Sequence, residues 1–237
     1  MFFSLSRHVV GPHDEALARF TSILFNGVPL QGRSLLDVGG GSGLMSFYAA
    51  TRGASPVTCL EPAEAGSNPT MDADFAKWQQ GLGDVNVDLV RKRFQDLDTT
   101  MTKYDVVLIN SAINHMDEDA CKRLPDDREA RARYLEIFAS LAELTKPGGD
   151  LIIADAARKN AWGALGLRSP FAPSIEWEIH AQPSVWAELA TEAGFSEPRI
   201  AWRANKRLGA IGQRVLGNVV GGWLTNSMFV LQMRRAV

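Results

Sequence analysis

The segment that most limits what this chain can fold into is residues 34–48, SLLDVGGGSGLMSFY. A short apolar strand ends on Asp37, and a stretch that can continue as a helix lies downstream. Between them, Gly39, Gly41 and Gly43 occupy alternate positions. Glycines spaced in this way let the backbone turn sharply after a strand, and they let a ligand approach the main chain where a Cβ would collide. We therefore expect a strand, turn and helix unit that binds a nucleotide-like ligand.

The glycine spacing argues against a dinucleotide. A dinucleotide-binding turn has the pattern G-x-G-x-x-G, but counting from Gly39 puts Leu44 where the third glycine should stand. Asp37 precedes the first glycine by two positions, and we expect its carboxylate to point into the pocket and repel a phosphate. A cationic ligand is favoured, and an NAD-dependent oxidoreductase is a less favoured alternative.

A second carboxylate supports a nucleotide site. The apolar segment PVTCLE predicts a strand that ends on Glu61, 18 residues after Gly43. A carboxylate at the tip of the second strand is where an α/β nucleotide site hydrogen-bonds the ribose hydroxyls. Dehydrogenases share this feature, so Glu61 indicates a ribose without identifying the cofactor.

Hydrophobic patterning predicts strands that alternate with helices, as a doubly wound sheet requires. Strands are predicted at 34–38, 57–61, 87–91, 104–110 and 150–155, with a final antiparallel pair at 200–203 and 228–233. Helices are predicted at 14–25, 43–52, 70–80, 128–144 and 184–193. We expect one domain over residues 1–237, with a helical N-terminal cap at about 1–30.

The D-x-G-x-G-x-G run from Asp37, with YDVVLINSAINHMDE and LTKPGGDLIIADA, resembles the class I S-adenosylmethionine-dependent methyltransferases over about residues 31–203. The resemblance implies a doubly wound α/β fold with a seven-stranded, mostly parallel sheet whose last strand is antiparallel. It also implies S-adenosyl-L-methionine as cofactor, which carries a sulfonium and no phosphate. The cofactor-binding residues expected are Asp37, Gly39, Gly40, Gly41, Gly43, Glu61, Pro62, Phe94, Gln95 and Asn110.

The chain departs from the family's pattern after strand three. Asp or Asn is frequent there and meets the adenine amino group, whereas this chain has RKRFQDLD. By register with the family, the acid would fall at Arg93 or Phe94. We expect backbone N–H groups near Phe94 and Gln95 to contact adenine, with Asp96 as the alternative.

In such a fold, the loop after strand four faces the transferred methyl group. It holds Asn110, Asn114 and His115. A histidine titrates near neutral pH and can remove a proton from an acceptor, so we expect His115 to be catalytic, the alternative being a structural hydrogen-bonding role. Asn110 is expected to hold the cofactor or the loop through its backbone.

Residues 158–182 form a connection too long for an ordinary α/β loop and indicate a lid. Its aromatic and ionic side chains suit a small acceptor that carries an anionic group beside an apolar body. The alternative is a solvated loop with two core tryptophans. Together with the strand-four loop, the substrate-binding residues expected are Asn114, Arg158, Trp162, Arg168, Trp177 and His180.

A third segment, residues 206–226, is apolar and rich in glycine, with Arg207 and Arg214 within it. It is either a surface for a membrane, a cover for a greasy substrate, or a packed crossover or dimer contact.

Composition bounds the remaining functions. Lys and Arg total 25 against 27 for Asp and Glu, so no global positive field favours a nucleic-acid partner. Cys59 and Cys121 have no neighbours at metal-ligand spacing, and no metal is predicted. Without a signal-peptide pattern or a long apolar run, we expect a cytoplasmic monomer or homodimer with at most peripheral membrane contact. The expected reaction is methyl transfer to oxygen or nitrogen of a small molecule, and the alternative is a catalytically silent binding module.

Overall fold

The computed structural model describes residues 2–9, 14–62, 70–100 and 102–237. Its strands are β1 Leu35–Val38, β2 Val57–Leu60, β3 Asp88–Val90, β4 Tyr104–Asn110, β5 Thr145–Ala156, β6 Phe195–Trp202 and β7 Met228–Arg235. They form one sheet in the order β3-β2-β1-β4-β5-β7-β6. Strands β1 to β5 pair in parallel, and β7 lies antiparallel to both β5 and β6.

This strand order indicates where on the sheet a ligand would bind. The chain runs outward from β1 to β3 and then returns to β4 on the other side of β1. Ligands of doubly wound sheets bind outside the carboxyl ends of the strands at such a reversal. The topology confirms the fold class expected from the sequence.

Helices cover both faces of the sheet. They are α1 Phe2–Val9, α2 Asp14–Leu24, α3 Leu44–Thr51, α4 Met71–Leu82, α5 Glu118–Arg123, α6 Arg128–Leu144, α7 Ala161–Ala164, α8 Pro183–Glu192, α9 Gly209–Leu216 and α10 Val219–Leu224. Leu35 belongs to one apolar core and its neighbour Leu36 to the opposite one, because successive side chains of a strand point to opposite faces. Both faces of the sheet are therefore buried against apolar side chains, as is usual for a parallel sheet.

Helix α1 packs through an aromatic ring against α3 and α4, on one face of the sheet. Phe2 of α1 stacks on Trp78 of α4 at 5.1 Å between ring centroids and meets Tyr48 edge-on at 5.3 Å. Residues 1 and 10–13 of the expected N-terminal cap lie outside the described ranges.

Two strand boundaries were predicted wrongly. Strand β5 begins at Thr145, directly after α6, so the KPGG segment lies inside the strand. The pairing with β4 shifts there, between Tyr104 and Val106, which accommodates the glycines as an irregularity. Strand β6 begins at Phe195 instead of 200 and tolerates Pro198 because it is an edge strand with a register shift between Ser196 and Arg199.

Residues 158–182 and 206–226, which the sequence treats as two insertions, pack against each other. Trp162 Nε1 donates to the carbonyl of Leu224 at 2.9 Å, and Ser169 Oγ donates to the carbonyl of Thr225 at 3.1 Å. We call these two segments together the cap. Within the described ranges, none of the helices has the length and apolar character needed to span a bilayer.

Candidate functional site

A cleft of about 920 Å³ lies at the carboxyl ends of β1, β2 and β4. Seven of the residues expected to bind cofactor or catalyse line it: Gly39, Gly41, Glu61, Pro62, Phe94, Gln95 and His115. The strand-one turn, the end of strand two, the segment after strand three and the strand-four loop therefore share one cavity.

The glycine turn brings bare backbone to the cleft. Gly39 and Gly41 have φ values of 69° and 54°, in the left-handed region where side chains are disfavoured. The N–H groups of Gly39 and Gly40 both donate to the carbonyl of Leu60, at 2.8 and 3.2 Å. A Cβ on Gly39 would collide with Ala112, whereas a Cβ on Gly41 would have nothing within 4 Å. The Gly41 backbone thus borders open volume that a ligand can fill.

Glu61 joins this turn to the end of β2. Its N–H donates to the carbonyl of Val90 at 3.0 Å, which continues the strand pairing, and its Oε2 accepts from the N–H of Gly41 at 3.0 Å. A carboxylate offers about four lone-pair positions, so the same side chain can hold the turn and still accept from ribose hydroxyls.

The expectation that the Asp37 carboxylate points into the cleft is wrong. Asp37 is 1% exposed and does not line the cleft, because its Oδ2 accepts from Ser46 Oγ of α3 at 2.7 Å beneath the turn. Its Oδ1 is buried without a hydrogen-bond partner. Burial raises the pKa of Asp37 to about 6, and the hydrogen bond from Ser46 offsets part of that rise. Asp37 supports the turn from inside the protein.

The segment after β3 forms the opposite wall. Residues Phe94–Asp96 make a single 3₁₀ turn in which Phe94 is buried. Gln95 Nε2 donates to the carbonyl of Met116 at 2.7 Å. This bond ties the segment after β3 to the loop after β4, so two sides of the cleft are held together. Asp96 also lines the cleft.

His115 pairs with a carboxylate that the sequence reading overlooked. Its Nδ1 lies 2.6 Å from Glu118 Oε1, and both side chains line the cleft and are about half exposed. In the tautomer with the proton on Nδ1, His115 donates to Glu118 and its Nε2 is an acceptor. Asn114 Nδ2 lies 3.4 Å from that Nε2. The pair has the arrangement of a histidine base oriented by an acid.

A buried tyrosine fixes the loop that carries this pair. Tyr134 Oη contacts the carbonyl oxygens of Ile113, Asn114 and Asp117 at 3.1 to 3.2 Å. Burial raises the pKa of the Tyr134 phenol, so it stays protonated. Asp117 in turn caps α5 by accepting from the N–H of Ala120 at 3.0 Å. Loop and helix are therefore rigidly placed beside the cleft.

A second cavity of about 1030 Å³ lies within the cap and shares no lining residue with the cleft. Of the substrate-binding residues expected, Arg158, Arg168 and Trp177 line it. Helix α5 contributes Glu118 to the cleft and Lys122 to the cap cavity. Four residues of helix span about 6 Å, so the two cavities are neighbours.

The structure uses Arg158 partly for architecture. Its Nη1 donates to the carbonyl of Lys122 at 3.0 Å and to that of Glu178 at 2.8 Å. The guanidinium therefore fastens the first cap segment to α5. Arg168 and Trp177 also line the cavity.

Apart from Asp37 and Asn114, five residues expected at the site line neither cavity: Gly40, Gly43, Asn110, Trp162 and His180. The structure places Trp162 and His180 on the wall of neither cavity, because their polar atoms bind other groups of the protein. Trp162 Nε1 bonds Leu224 as described above, and His180 Nδ1 lies 3.2 Å from Asp155 Oδ1 in a buried pair. Gly43 starts α3, where a Cβ would meet Phe75 at 2.9 Å.

Asn114 is also outside both cavity walls. It is 1% exposed, and its Oδ1 has no hydrogen-bond partner. Its contact with His115 makes it a neighbour of the catalytic candidate rather than a wall of the substrate pocket.

Sequence reasoning overlooked Ser46, Glu118 and Trp223. A signal was present for Glu118, since it stands three residues after His115 and such residues meet on one side of a helical turn. Trp223 lines the cap cavity from the second cap segment, and nothing in the sequence shows that the two segments would meet.

A family model described as a methyltransferase domain matches residues 13–197, which is more than half of the chain. No curated protein sequence matches it. Among solved structures, a Mesorhizobium loti S-adenosylmethionine-dependent methyltransferase is 15% identical with a TM-score of 0.60, covering 96% of this chain and 100% of that one.

Two further solved structures have folds similar to that of this chain. The Burkholderia thailandensis 1,6-didemethyltoxoflavin-N1-methyltransferase, solved with 1,6-didemethyltoxoflavin and S-adenosylhomocysteine, is 19% identical with a TM-score of 0.58, covering 99% of this chain and 88% of that one. The [4+2]-cyclase SpnF is 18% identical with a TM-score of 0.59, covering 94% and 81%. At these identities the likeness concerns the fold. The sheet order and the family match together show that the chain belongs to the methyltransferase domain family and has the class I methyltransferase fold.

Proposed function

We propose that this chain transfers a methyl group from S-adenosylmethionine to an oxygen or nitrogen of a small acceptor that carries an anionic group. The observation that carries the proposal is the 2.6 Å contact between His115 and Glu118 in the same cleft as Gly41 and Glu61. A base is needed only when the acceptor arrives protonated. An oriented base at this cleft therefore favours a hydroxyl or a protonated amine.

The cleft fits the cofactor in three respects. The bare backbone at Gly41 leaves room for a ligand, since a Cβ there would have nothing within 4 Å. Glu61 can accept from ribose hydroxyls while it holds the Gly41 N–H. The apolar ring of Phe94 supplies a surface for adenine on the opposite side. Gly39, Gly41, Glu61, Pro62, Phe94 and Gln95 are the residues we assign to the cofactor.

When bound, the cofactor would supply a methyl carbon on a positively charged sulfur; the acceptor atom attacks that carbon in line, and the sulfur leaves as a neutral thioether. The protein's part is to orient the acceptor and to accept its proton. With Glu118 holding Nδ1–H, the Nε2 lone pair of His115 exchanges its 3.4 Å contact with Asn114 Nδ2 for the acceptor and takes the proton from the acceptor hydroxyl or ammonium. Glu118 then faces a positively charged imidazolium, which its carboxylate stabilises.

The cap cavity is our proposed site for the body of the acceptor. Lys122, Arg158, Lys159 and Arg168 line it, against Glu176 and Glu178. The excess of basic side chains favours an anionic group, and Trp177 and Trp223 give apolar surface beside it. Because α5 borders both cavities, we place the reacting group beside His115 and the anionic group in the cap.

The test is a screen of hydroxylated and amino compounds with and without a carboxylate or sulfate, followed by mass spectrometry for a methylated product. We expect turnover only with acceptors that hold a proton on the reacting atom. His115→Ala is expected to lower kcat by about 10² to 10⁴ and to leave the affinity for S-adenosylhomocysteine unchanged. Arg168→Gln is expected to raise KM for the anionic acceptor and leave kcat unchanged.

A binding module without turnover is the second candidate. A fold neighbour named as a [4+2]-cyclase is a reason not to infer methyl transfer from the fold alone. The second candidate predicts that S-adenosylhomocysteine binds but that no acceptor is methylated. A product whose formation is insensitive to His115→Ala would contradict the base assignment and favour a carboxylate acceptor, which needs no base.

A further inference from the structure

The cap presents an apolar surface to solvent. Ten of the twelve exposed large hydrophobic side chains of the described residues lie in residues 158–182 and 206–226. Contiguous exposed apolar surface on a globular protein marks an interaction site. Nothing in the described ranges of the chain covers it.

The two helices of the second cap segment are built to expose their large side chains. On α9, Ile211 and Val215 stand four residues apart, so they share a face, and they are 80% and 63% exposed. On α10, Val219 and Trp223 have the same spacing, with exposures of 59% and 43%. The glycines of α10 take the inner positions instead: Gly221 and Gly222 are buried, and a Cβ on Gly222 would meet the Trp202 ring at 2.5 Å.

The first cap segment extends this surface. Trp162 is bonded to the end of α10 through the Leu224 carbonyl. Leu165 and Leu167 follow Trp162 closely along the chain and are 70% and 55% exposed. We call this surface, made by Leu165, Leu167, Ile211, Val215, Val219 and Trp223, the docking face.

The stretches of chain that carry the docking face contain basic residues and no acids. No Asp or Glu occurs in residues 158–175 or 198–237. Lys206, Arg207 and Arg214 are exposed in the second cap segment, and Arg168 lies in the first. Apolar side chains flanked by basic ones, with no acids among them, match the interface of a bilayer that carries anionic lipids.

We infer that the docking face binds the surface of an anionic lipid bilayer. A second copy of this chain fits less well, because a twofold contact would bring the same face of both copies together. The basic side chains Lys206, Arg207 and Arg214 would then be brought to the same interface from both copies, and the stretches of chain that form the face hold no acid to offset them. Anionic lipid headgroups supply the opposite charge, and the acyl boundary accepts the aliphatic side chains.

The docking face also borders the proposed acceptor site. Trp223 belongs to the face and lines the cap cavity, so an amphiphilic acceptor could pass from the bilayer into the cavity. This consequence rests on the proposed function, whereas bilayer binding itself does not.

The test is co-sedimentation of the full chain with phosphatidylcholine vesicles, with and without phosphatidylglycerol. We expect the protein to sediment with the anionic vesicles and to stay in solution with the zwitterionic ones. The double variant Ile211→Glu/Val215→Glu is expected to lose at least about tenfold in partitioning. Ile200→Glu/Val237→Glu adds the same charge at exposed apolar positions outside the cap and is expected to bind as the parent does.

A second pair of variants tests the electrostatic part. Arg207→Gln/Arg214→Gln is expected to reduce partitioning by about fivefold for each arginine at low salt, whereas the exposed pair Arg52→Gln/Arg128→Gln changes it far less. Unchanged S-adenosylhomocysteine affinity shows that each variant is folded, and it separates this test from that of the methyl-transfer proposal.

Absence of binding to anionic vesicles would overturn the inference. So would equal losses in the test and control variants. Size-exclusion chromatography with light scattering measures the oligomeric state and so tests a second copy as the occupant. A dimer that Ile211→Glu/Val215→Glu dissociates would assign the face to a second copy and contradict the bilayer assignment.

Discussion

The N–H of Gly41 donates a 3.0 Å hydrogen bond to Oε2 of Glu61, which joins the turn after β1 to the end of β2. Two parts of the chain 20 residues apart in sequence thereby present one surface to the cleft. Together with the bonds from Gly39 and Gly40 to the carbonyl of Leu60, this contact holds the turn in a conformation that faces the cleft.

Glu61→Gln should weaken S-adenosylhomocysteine binding by about 1.5 to 3 kcal/mol, the contribution of a hydrogen bond to a charged group. The amide keeps an oxygen for the Gly41 N–H, so the fold and the turn should survive. Titration calorimetry measures the change, with Glu15→Gln on α2 as the control for loss of an exposed carboxylate. A gain of affinity for a 2′-phosphorylated nucleotide would instead restore the oxidoreductase interpretation.

Glu118 should act on turnover only through His115. Glu118→Gln is expected to lower kcat by about tenfold and to leave KM and cofactor affinity unchanged. In the double variant with His115→Ala, the loss should equal that of His115→Ala alone, because residues acting as one unit are not additive. If the two losses multiplied in a steady-state assay, the carboxylate would have a role independent of the histidine.

The fold was predictable because its signals are local. The glycine turn after β1, the apolar run of β4 and the helical period of α6 each determine one element, and the alternation of elements then determines the doubly wound sheet. The start of β5 was missed because Gly148 and Gly149 usually break elements. Here the strand tolerates them where its pairing with β4 is irregular.

The site was predictable only in part. Glu61 and Gly41 follow from the spacing, but the direction of Asp37 does not. In a parallel strand buried on both faces, apolar neighbours lie on either side, so no alternation shows where a polar side chain points. The packing of the two cap segments against each other could not be predicted from the sequence either. The contact between Trp162 and Leu224 joins residues 62 positions apart, and no sequence pattern indicates that they pair.

Asp37 should make stability fall as pH rises. Its pKa is raised to about 6 in the folded protein by burial, from 3.8, so the native state binds more protons than the unfolded state between these values. The penalty of charging it therefore grows from about pH 4 to pH 6 and is complete above that range. Asp37→Asn should stabilise the protein more at pH 7.5 than at pH 4, as measured by urea midpoints. A constant difference across that range would contradict the buried, charged state at neutral pH.

Asp105 should affect the pH dependence of stability in the opposite direction, so that stability rises with pH. Burial raises its pKa, but hydrogen bonds from Lys146 Nζ at 2.8 Å and from Ser34 outweigh burial and lower the pKa to about 2. The stability it contributes is present above the unfolded value near 4 and is lost as pH falls toward 2. Asp105→Asn should flatten acid unfolding over that interval, followed by circular dichroism, whereas the exposed Asp119→Asn should leave it unchanged.

The most direct test of the account is calorimetry with S-adenosylhomocysteine on Gly41→Val, with Gly32→Val as the matched control. Both glycines have positive φ, and a Cβ on either would have nothing within 4 Å, so the backbone strain is comparable. Only Gly41 lines the cleft, while Gly32 lies before β1 at the other end of the strand. We expect Gly41→Val to abolish binding and Gly32→Val to retain the affinity of the parent, which itself should not bind NAD. Undiminished binding by Gly41→Val would contradict the assignment of the cofactor to this cleft.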